Sequence, residues 1–157
     1  MKRLLIGLCA LALAALMATA ARADGDPGAA VTADLTQLVS DATALHSAVT
    51  ADANKIASDA QALQGSGNAK TARSTLQADV QQLTSDRQKL VPPVLADWKQ
   101  LSADLKAARA AKVSAATLRP ALQQATQQLK QEVQDVATAL KSARQATQAL
   151  RQSLKKK

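Results

Sequence analysis

The sequence predicts an all-α protein, an elongated antiparallel three-helix bundle of the coiled-coil type. Apolar residues recur at steps of three and four in three long stretches. The stretches have similar lengths and short connections, and alanine, the best helix former, is abundant. We therefore expect a single helical domain over residues 24–157, with helices at about 27–64, 69–111 and 118–155.

Residues 1–23 have the composition of a secretory signal peptide. Two basic residues precede an uninterrupted apolar run over residues 4–18, and the small residues Ala21 and Ala23 follow it. We expect cleavage between Ala23 and Asp24, and hence a periplasmic or secreted protein. The net charge of +8 for the whole chain then falls to +5.

The first helix is predicted to begin at Asp26 and Pro27, because an aspartate can cap free amides and proline needs no donor in the first turn. The segment 65–68, Gly-Ser-Gly-Asn, is expected to end it, with Asn68 capping the next helix. The apolar stripe between these signals consists of Val31, Leu35, Leu38, Ala42, Leu45, Val49, Ala53, Ile56, Ala60 and Leu63.

The second helix is predicted to continue through Pro92 and Pro93 with a kink. The prolines remove two amide donors, but the apolar stripe keeps its phase across them. A sharp reversal into two short helices is the lesser alternative. The stripe consists of Ala72, Leu76, Val80, Leu83, Leu90, Val94, Trp98, Leu101, Leu105 and Ala108, with Arg87 at an apolar position.

The third helix has the most regular stripe. Thr117 is the preferred N-cap, because it places Pro120 at the third helical position, where a missing amide costs nothing. The three helices show similar stripes but no convincing sequence repeat. The third stripe consists of Leu118, Leu122, Ala125, Leu129, Val133, Val136, Leu140, Ala143, Thr147, Leu150 and Leu154.

The charges are unevenly distributed along the chain. Residues 24–86 have a net charge of −5, and residues 87–157 have a net charge of +10. We expect an acidic strip on the first helix and a basic strip on the third to face one another across helix boundaries, as flanking charges do in coiled coils. The alternative is that the basic half docks an anionic partner. The strips are Asp34, Asp41, Asp52 and Asp59, and Arg119, Lys130 and Lys141.

The residues that could support catalysis are few. The only cysteine, Cys9, lies in the predicted signal peptide, and His46, the only histidine, is expected to be a half-exposed helix residue. The Asp residues of the first helix lie a heptad or more apart, too far for shared metal coordination. We therefore predict no enzyme activity, no cofactor and no metal. Trp98 is expected in the core or beside a small groove at the proline kink.

These observations predict a non-enzymatic bacterial envelope protein that serves as a structural or protein-interaction module. The alternatives are a periplasmic holdase-like chaperone and a peripheral binder of anionic membrane or cell-wall polymer. We expect a protein partner or self-association, a possible anionic envelope surface, and no nucleic acid, because stacking aromatics and recognised motifs are absent. The candidate interaction residues are Trp98, Lys155, Lys156 and Lys157.

Overall fold

The computed structural model describes residues 26–64 and 68–155. These residues form three helices, α1 (Pro27–Leu63), α2 (Ala69–Ala110) and α3 (Ala115–Lys155), which pack against each other without any strand. The predicted all-α three-helix bundle is confirmed. No helix in this part of the chain is both long and apolar enough to cross a lipid bilayer.

Three of the predicted features lie outside the described residues. They are the signal peptide at 1–23, the glycine turn at 65–67 and the last two lysines, Lys156 and Lys157.

The helices contribute to two compact units. The first unit contains residues 26–43 and 91–133, and the second contains residues 44–64, 68–90 and 134–155. Each unit therefore has one segment from each of α1, α2 and α3.

The predicted caps of α1 and α2 are confirmed. The Asp26 carboxylate accepts from the Gly28 amide at 2.9 Å, and the Asn68 side-chain oxygen accepts from the Thr71 amide at 3.0 Å. Both caps satisfy amides that have no partner within their own helix.

Helix α2 runs without interruption through Pro92 and Pro93. The predicted continuous helix is therefore confirmed, and the alternative of a reversal into two short helices is wrong. The two missing amides leave the carbonyls of Gln88 and Lys89 without their usual helical donors. All four residues are exposed, so water can satisfy these carbonyls and the helix continues at little cost.

The turn between α2 and α3 differs from the prediction. Lys112 adopts a left-handed conformation with φ of 56°, and the Val113 amide donates to the Ala108 carbonyl at 2.9 Å. This bond is typical of a Schellman motif, which ends a helix tightly. Ser114 then caps α3, with its side-chain oxygen accepting from the Ala116 amide at 3.3 Å.

Thr117 is therefore not the N-cap, and α3 begins three residues earlier than predicted. The compact turn brings Ser114 to the capping position before the chain reaches Thr117. Pro120 then lies deeper in the helix than expected, but it is exposed, as is Ala116, whose carbonyl loses a helical donor.

The core of the first unit is formed by apolar residues from all three helices. Leu38 and Leu101 are its most completely buried large side chains, at 2% exposure each. The predicted stripes therefore face inward in this unit. The other buried apolar residues of this unit are Val31, Leu35, Ala42, Val94, Ala107, Ala108, Leu118 and Ala125.

The core of the second unit is mostly alanine. One cluster of buried residues contains two large side chains, Ile56 and Leu150. Five partly exposed leucines pack against this cluster: Leu63, Leu76, Leu83, Leu140 and Leu154. The alanines of this cluster are Ala53, Ala57, Ala60, Ala72, Ala139, Ala143 and Ala146.

Two predictions about the second unit are wrong. Val80 was predicted to lie in the core but is 50% exposed, whereas the adjacent Asp79 is only 5% exposed. The Asp79 carboxylate is directed inward because Lys55 donates to it. His46 is buried at 7% exposure rather than half-exposed, since it lies one turn from both Ala42 and Val49 on the apolar face.

Truncating a buried leucine should destabilise the protein far more than truncating an exposed one on the same helix. We expect Leu101→Ala to lower the free energy of unfolding by about 2–5 kcal/mol, since it leaves a cavity in the first unit. Leu95→Ala is the matched control, because Leu95 is 46% exposed, and we expect it to cost less than about 1 kcal/mol. Urea denaturation followed by circular dichroism measures both, and equal losses would contradict the described packing.

Candidate functional site

The acidic strip of α1 faces aspartates of α2. In the first unit, the carboxyl of Asp34 faces that of Asp104, and the carboxyl of Asp97 faces that of Asp41. The expectation that this strip faces basic residues is therefore wrong for the first unit. The physical consequence is that two carboxyl groups meet at each position, and they cannot both carry a full charge there without strong repulsion.

The second unit contains the equivalent arrangement. Asp59 of α1 and Asp79 of α2 both accept from the Lys55 ammonium, and the charge of Asp86 acts on Asp52. In all four pairs of the two units the residue numbers add up to 138, as expected for antiparallel helix segments in a fixed register.

The α2 aspartates of these pairs repeat the spacing of the α1 strip. The intervals are seven, eleven and seven residues in both helices, and each α2 aspartate lies 45 positions after an α1 aspartate. The apolar stripes alone do not show this repeat. The spacing of Asp79, Asp86, Asp97 and Asp104 is the signal in the sequence that shows it.

Within each pair, one carboxylate accepts a hydrogen bond from the side chain four residues before it. Three of these donors are glutamine amides: Gln37 to Asp41 at 3.1 Å, Gln82 to Asp86 at 2.8 Å, and Gln100 to Asp104 at 2.8 Å. The fourth donor is the Lys55 ammonium, which lies 2.6 Å from Asp59. Lys55 and Gln100 occupy equivalent positions of the repeat.

The other carboxyl of each pair has a buried Oδ2 atom without a conventional hydrogen-bond partner. These residues are Asp34, Asp52, Asp79 and Asp97. A buried carboxylate oxygen without a donor is costly, whereas a protonated carboxyl can itself donate to the neighbouring carboxylate. In the first unit, each pair thus has one member with a donor of its own and one member, Asp34 or Asp97, suited to hold a proton.

The electrostatics of the first unit agree with this division. Burial, the hydrogen bond to Asp104 and the negative charges of Asp104 and Asp97 together raise the pKa of Asp34 to about 6. Burial also raises the pKa of Asp97, together with its hydrogen bond and its repulsion from Asp41. The first unit therefore takes up protons under mildly acidic conditions.

The second unit is different because it contains Lys55. The ammonium forms ion pairs with both Asp59 and Asp79, which belong to one carboxyl pair. Its hydrogen bond lowers the pKa of Asp59, while burial and the charges of Asp86 and Asp79 raise the pKa of Asp52. A positive charge thus replaces the shared proton at one of the two pairs.

The carboxyl pairs do not form a metal-binding group of three or more ligands. Within residues 26–64 and 68–155, no cluster of at least three His, Cys, Asp or Glu side chains is arranged to hold a metal ion. The chemistry visible in the pairs is the binding of a proton or of the Lys55 ammonium.

The predicted interaction residues lie away from the carboxyl pairs. Trp98 is half-buried on α2, one turn from the exposed Leu95, and Lys155 is exposed at the end of α3. The other two predicted interaction residues, Lys156 and Lys157, lie outside the described residues. The predicted basic strip, Arg119, Lys130 and Lys141, is exposed on α3.

Helix α3 of the second unit has a one-sided basic surface, which we call the basic face. At 100° per residue its four exposed cations lie within a sector of roughly 80°, and Asp135 lies on the other side of the helix. In the described part of the second unit, none of these cations forms an ion pair with an aspartate or glutamate. The basic face consists of Lys141, Arg144, Arg151 and Lys155.

Comparisons of the chain with models of protein families, with curated proteins and with solved structures found no match.

Replacing the Lys55 ammonium by an amide should weaken the second unit in a pH-dependent manner. We expect Lys55→Gln to lower the free energy of unfolding at pH 7, because the buried Asp79 carboxylate loses its opposite charge. The loss should be smaller near pH 3, because the hydrogen bond that lowers the pKa of Asp59 stabilises the fold only while this carboxyl is ionised. Urea denaturation at both pH values measures the effect.

Lys99→Gln is the control for this variant, since Lys99 is an exposed lysine of α2. Equal losses in the two variants at pH 7 would show that Lys55 has no special role in the second unit.

Proposed function

We propose that the chain is an exported, non-enzymatic helical protein of the bacterial cell envelope that acts as a structural or protein-interaction module. The apolar run and small residues within 1–23 support export. The three-helix bundle supports a scaffold role, and the composition after residue 23, with one His, one Glu and no Cys, supports a role without catalysis.

The single observation that carries the interaction role is the basic face. Its four cations are exposed on one side of α3, whereas Asp52, Asp59, Asp79 and Asp86 of the same unit are engaged between α1 and α2. These four aspartates are therefore directed toward each other rather than toward the basic face. A partner for the basic face has to supply its own negative charges.

An anionic membrane surface is the partner that this geometry favours. A straight row of cations along a helix can contact many lipid headgroups at once, and each Lys or Arg near such a surface contributes about 1 kcal/mol. The basic face has no bulky apolar side chains, so the binding would be electrostatic and reversible. Anionic cell-wall polymer has the same charge and is the alternative target.

Neutralising the basic face should abolish binding to anionic vesicles. We expect Lys141→Gln, Arg144→Gln, Arg151→Gln and Lys155→Gln together to weaken cosedimentation with phosphatidylglycerol vesicles at least tenfold at low salt. A matched control neutralises two exposed lysines and two exposed arginines of α2: Lys70, Arg73, Arg87 and Lys99. Equal weakening by both sets would indicate net charge alone, and binding only to purified cell wall would identify the alternative target.

A holdase-like chaperone is the second candidate, and an exposed apolar surface in the first unit supports it. Leu95 is 46% exposed on α2, and the half-buried Val91 and Trp98 lie one turn away on either side. Apolar side chains on a helix surface can retain unfolded segments of a client protein.

The holdase candidate predicts that the protein suppresses aggregation of a heat-unfolded model enzyme at near-stoichiometric amounts. Leu95→Gln should reduce this suppression severalfold. Val80→Gln is the matched control, because Val80 is similarly exposed but belongs to the second unit. Light scattering measures aggregation, and a complete lack of suppression by the unsubstituted protein would eliminate the candidate.

A further inference from the structure

The two units differ in what neutralises their paired carboxyls. In the second unit, Lys55 places an ammonium group between Asp59 and Asp79. In the first unit, the equivalent position of the repeat holds Gln100, whose amide donates to Asp104 but carries no charge. The Oδ2 atoms of Asp34 and Asp97 are buried without a conventional hydrogen-bond donor, and the charges that act on these two residues are all negative.

Two carboxyl groups at hydrogen-bonding distance are stable when they share one proton and repel each other when both are ionised. We propose that the first unit is a proton-operated clasp, in which protons shared between facing carboxyls of α1 and α2 close the two helix segments at mildly acidic pH, and loss of these protons at neutral pH loosens them. The clasp consists of the pairs Asp34 with Asp104 and Asp41 with Asp97.

The direction of the pH dependence follows from the raised pKa of Asp34. Its pKa is about 6 in the folded protein against an ordinary value of 3.8. Stabilisation by its proton is complete below about pH 4 and is lost as the pH rises through 6. The raised pKa of Asp97 acts in the same direction.

The other charged groups of the first unit do not supply a compensating positive charge at the pairs. Asp26, Lys99, Lys112, Arg119 and Lys130 are exposed, and Lys106 is half-exposed. Arg109 and Glu132 have partners of their own, and Glu132 accepts from the Thr43 hydroxyl of α1 at 2.6 Å. The charges identified as acting on Asp34 and Asp97 come only from Asp41, Asp97 and Asp104.

Loosening of the clasp would uncover the apolar core between α1 and α2 in this unit. Leu38 and Leu101 lie on the same two helix segments as the paired carboxyls and are almost fully buried. The proton therefore controls access to an apolar surface as well as the stability of the unit.

The first test compares wild-type stability at pH 5 and pH 7.5 with two variants. Gln100→Lys introduces the ammonium that Lys55 provides at the equivalent position. Asp34→Asn with Asp97→Asn replaces each proton-holding carboxyl by an amide that can still donate but cannot titrate. In the wild type, Asp34 alone is expected to increase the unfolding equilibrium constant about tenfold between pH 5 and pH 7.5, and Asp97 adds to this change in the same direction. Both variants should remove most of this change.

Two controls assign the effect to the carboxyl pairs. Gln145→Lys makes the same substitution at an exposed position of α3 and should keep the wild-type pH dependence. His46→Gln removes the only histidine, a residue type that changes charge near neutral pH. This variant should also keep the wild-type pH dependence of stability. A pH dependence that disappears in His46→Gln would overturn the proposal.

The second test uses Trp98, the only tryptophan and the neighbour of Asp97. We expect a shift of its fluorescence emission between pH 5 and pH 7.5 while the protein remains folded, and no such shift in Asp34→Asn with Asp97→Asn. An unchanged wild-type stability over this pH range, or a shift that persists undiminished in both variants, would contradict the proton-operated clasp.

Discussion

The contact between α1 and α2 depends on neutralising carboxyl groups that face each other. Repulsion between two ionised carboxylates in such a setting opposes packing of the helices. Each pair therefore needs a proton or a cation, and the pairs of this protein use both. Burial and negative neighbours raise the pKa of Asp34 and of Asp97 and so favour their neutral forms, whereas Lys55, 2.6 Å away, lowers the pKa of Asp59 and favours its ionised form. Alanines pack on the inner side of the helices and cations lie on their outer side, around this contact.

The spacing of the aspartates explains why the pairs recur in both units. Intervals of seven and eleven residues together make eighteen, which is five turns of an α-helix, so the strip returns to the same side of the helix. The order seven, eleven, seven is also the same in both directions. A helix with this strip can therefore pair with an antiparallel copy of itself, each aspartate meeting another. The 45-residue offset between the two sets of aspartates indicates that α1 and α2 are such copies, with Lys55 in one and Gln100 in the other as the substitution that separates their electrostatics.

The helices were predictable from the sequence because apolar periodicity and capping residues act locally. Asp26 and Asn68 cap the helices as predicted, and the α2 stripe kept its phase through Pro92. Features that depend on contacts between helices were not predictable in the same manner. Asp79 is buried in place of Val80 because Lys55 lies 24 positions earlier in the chain but adjacent in space. The start of α3 at Ser114 depends on the left-handed Lys112, a conformation that the sequence would suggest only for glycine or asparagine.

The distribution of charge along the sequence also differs from its distribution in the folded protein. Residues 24–86 and 87–157 have opposite net charges, which suggested attraction between an acidic and a basic half. The paired aspartates come from both halves, however, and are turned toward each other. In the described part of the second unit, the four cations of the basic face form no ion pair with an acidic side chain, so the arrangement that pairs the aspartates of α1 and α2 also leaves the basic face available. A fixed cation can replace the shared proton, as Lys55 does at Asp59 and Asp79. The stability of such a pair no longer depends on protonation, but its two carboxyl groups still face each other. The sensitivity of the pairs to protons and the availability of the basic face are therefore separable properties. The sensitivity to protons depends on residues such as Gln100, whereas the availability of the basic face depends only on the orientation of the aspartates.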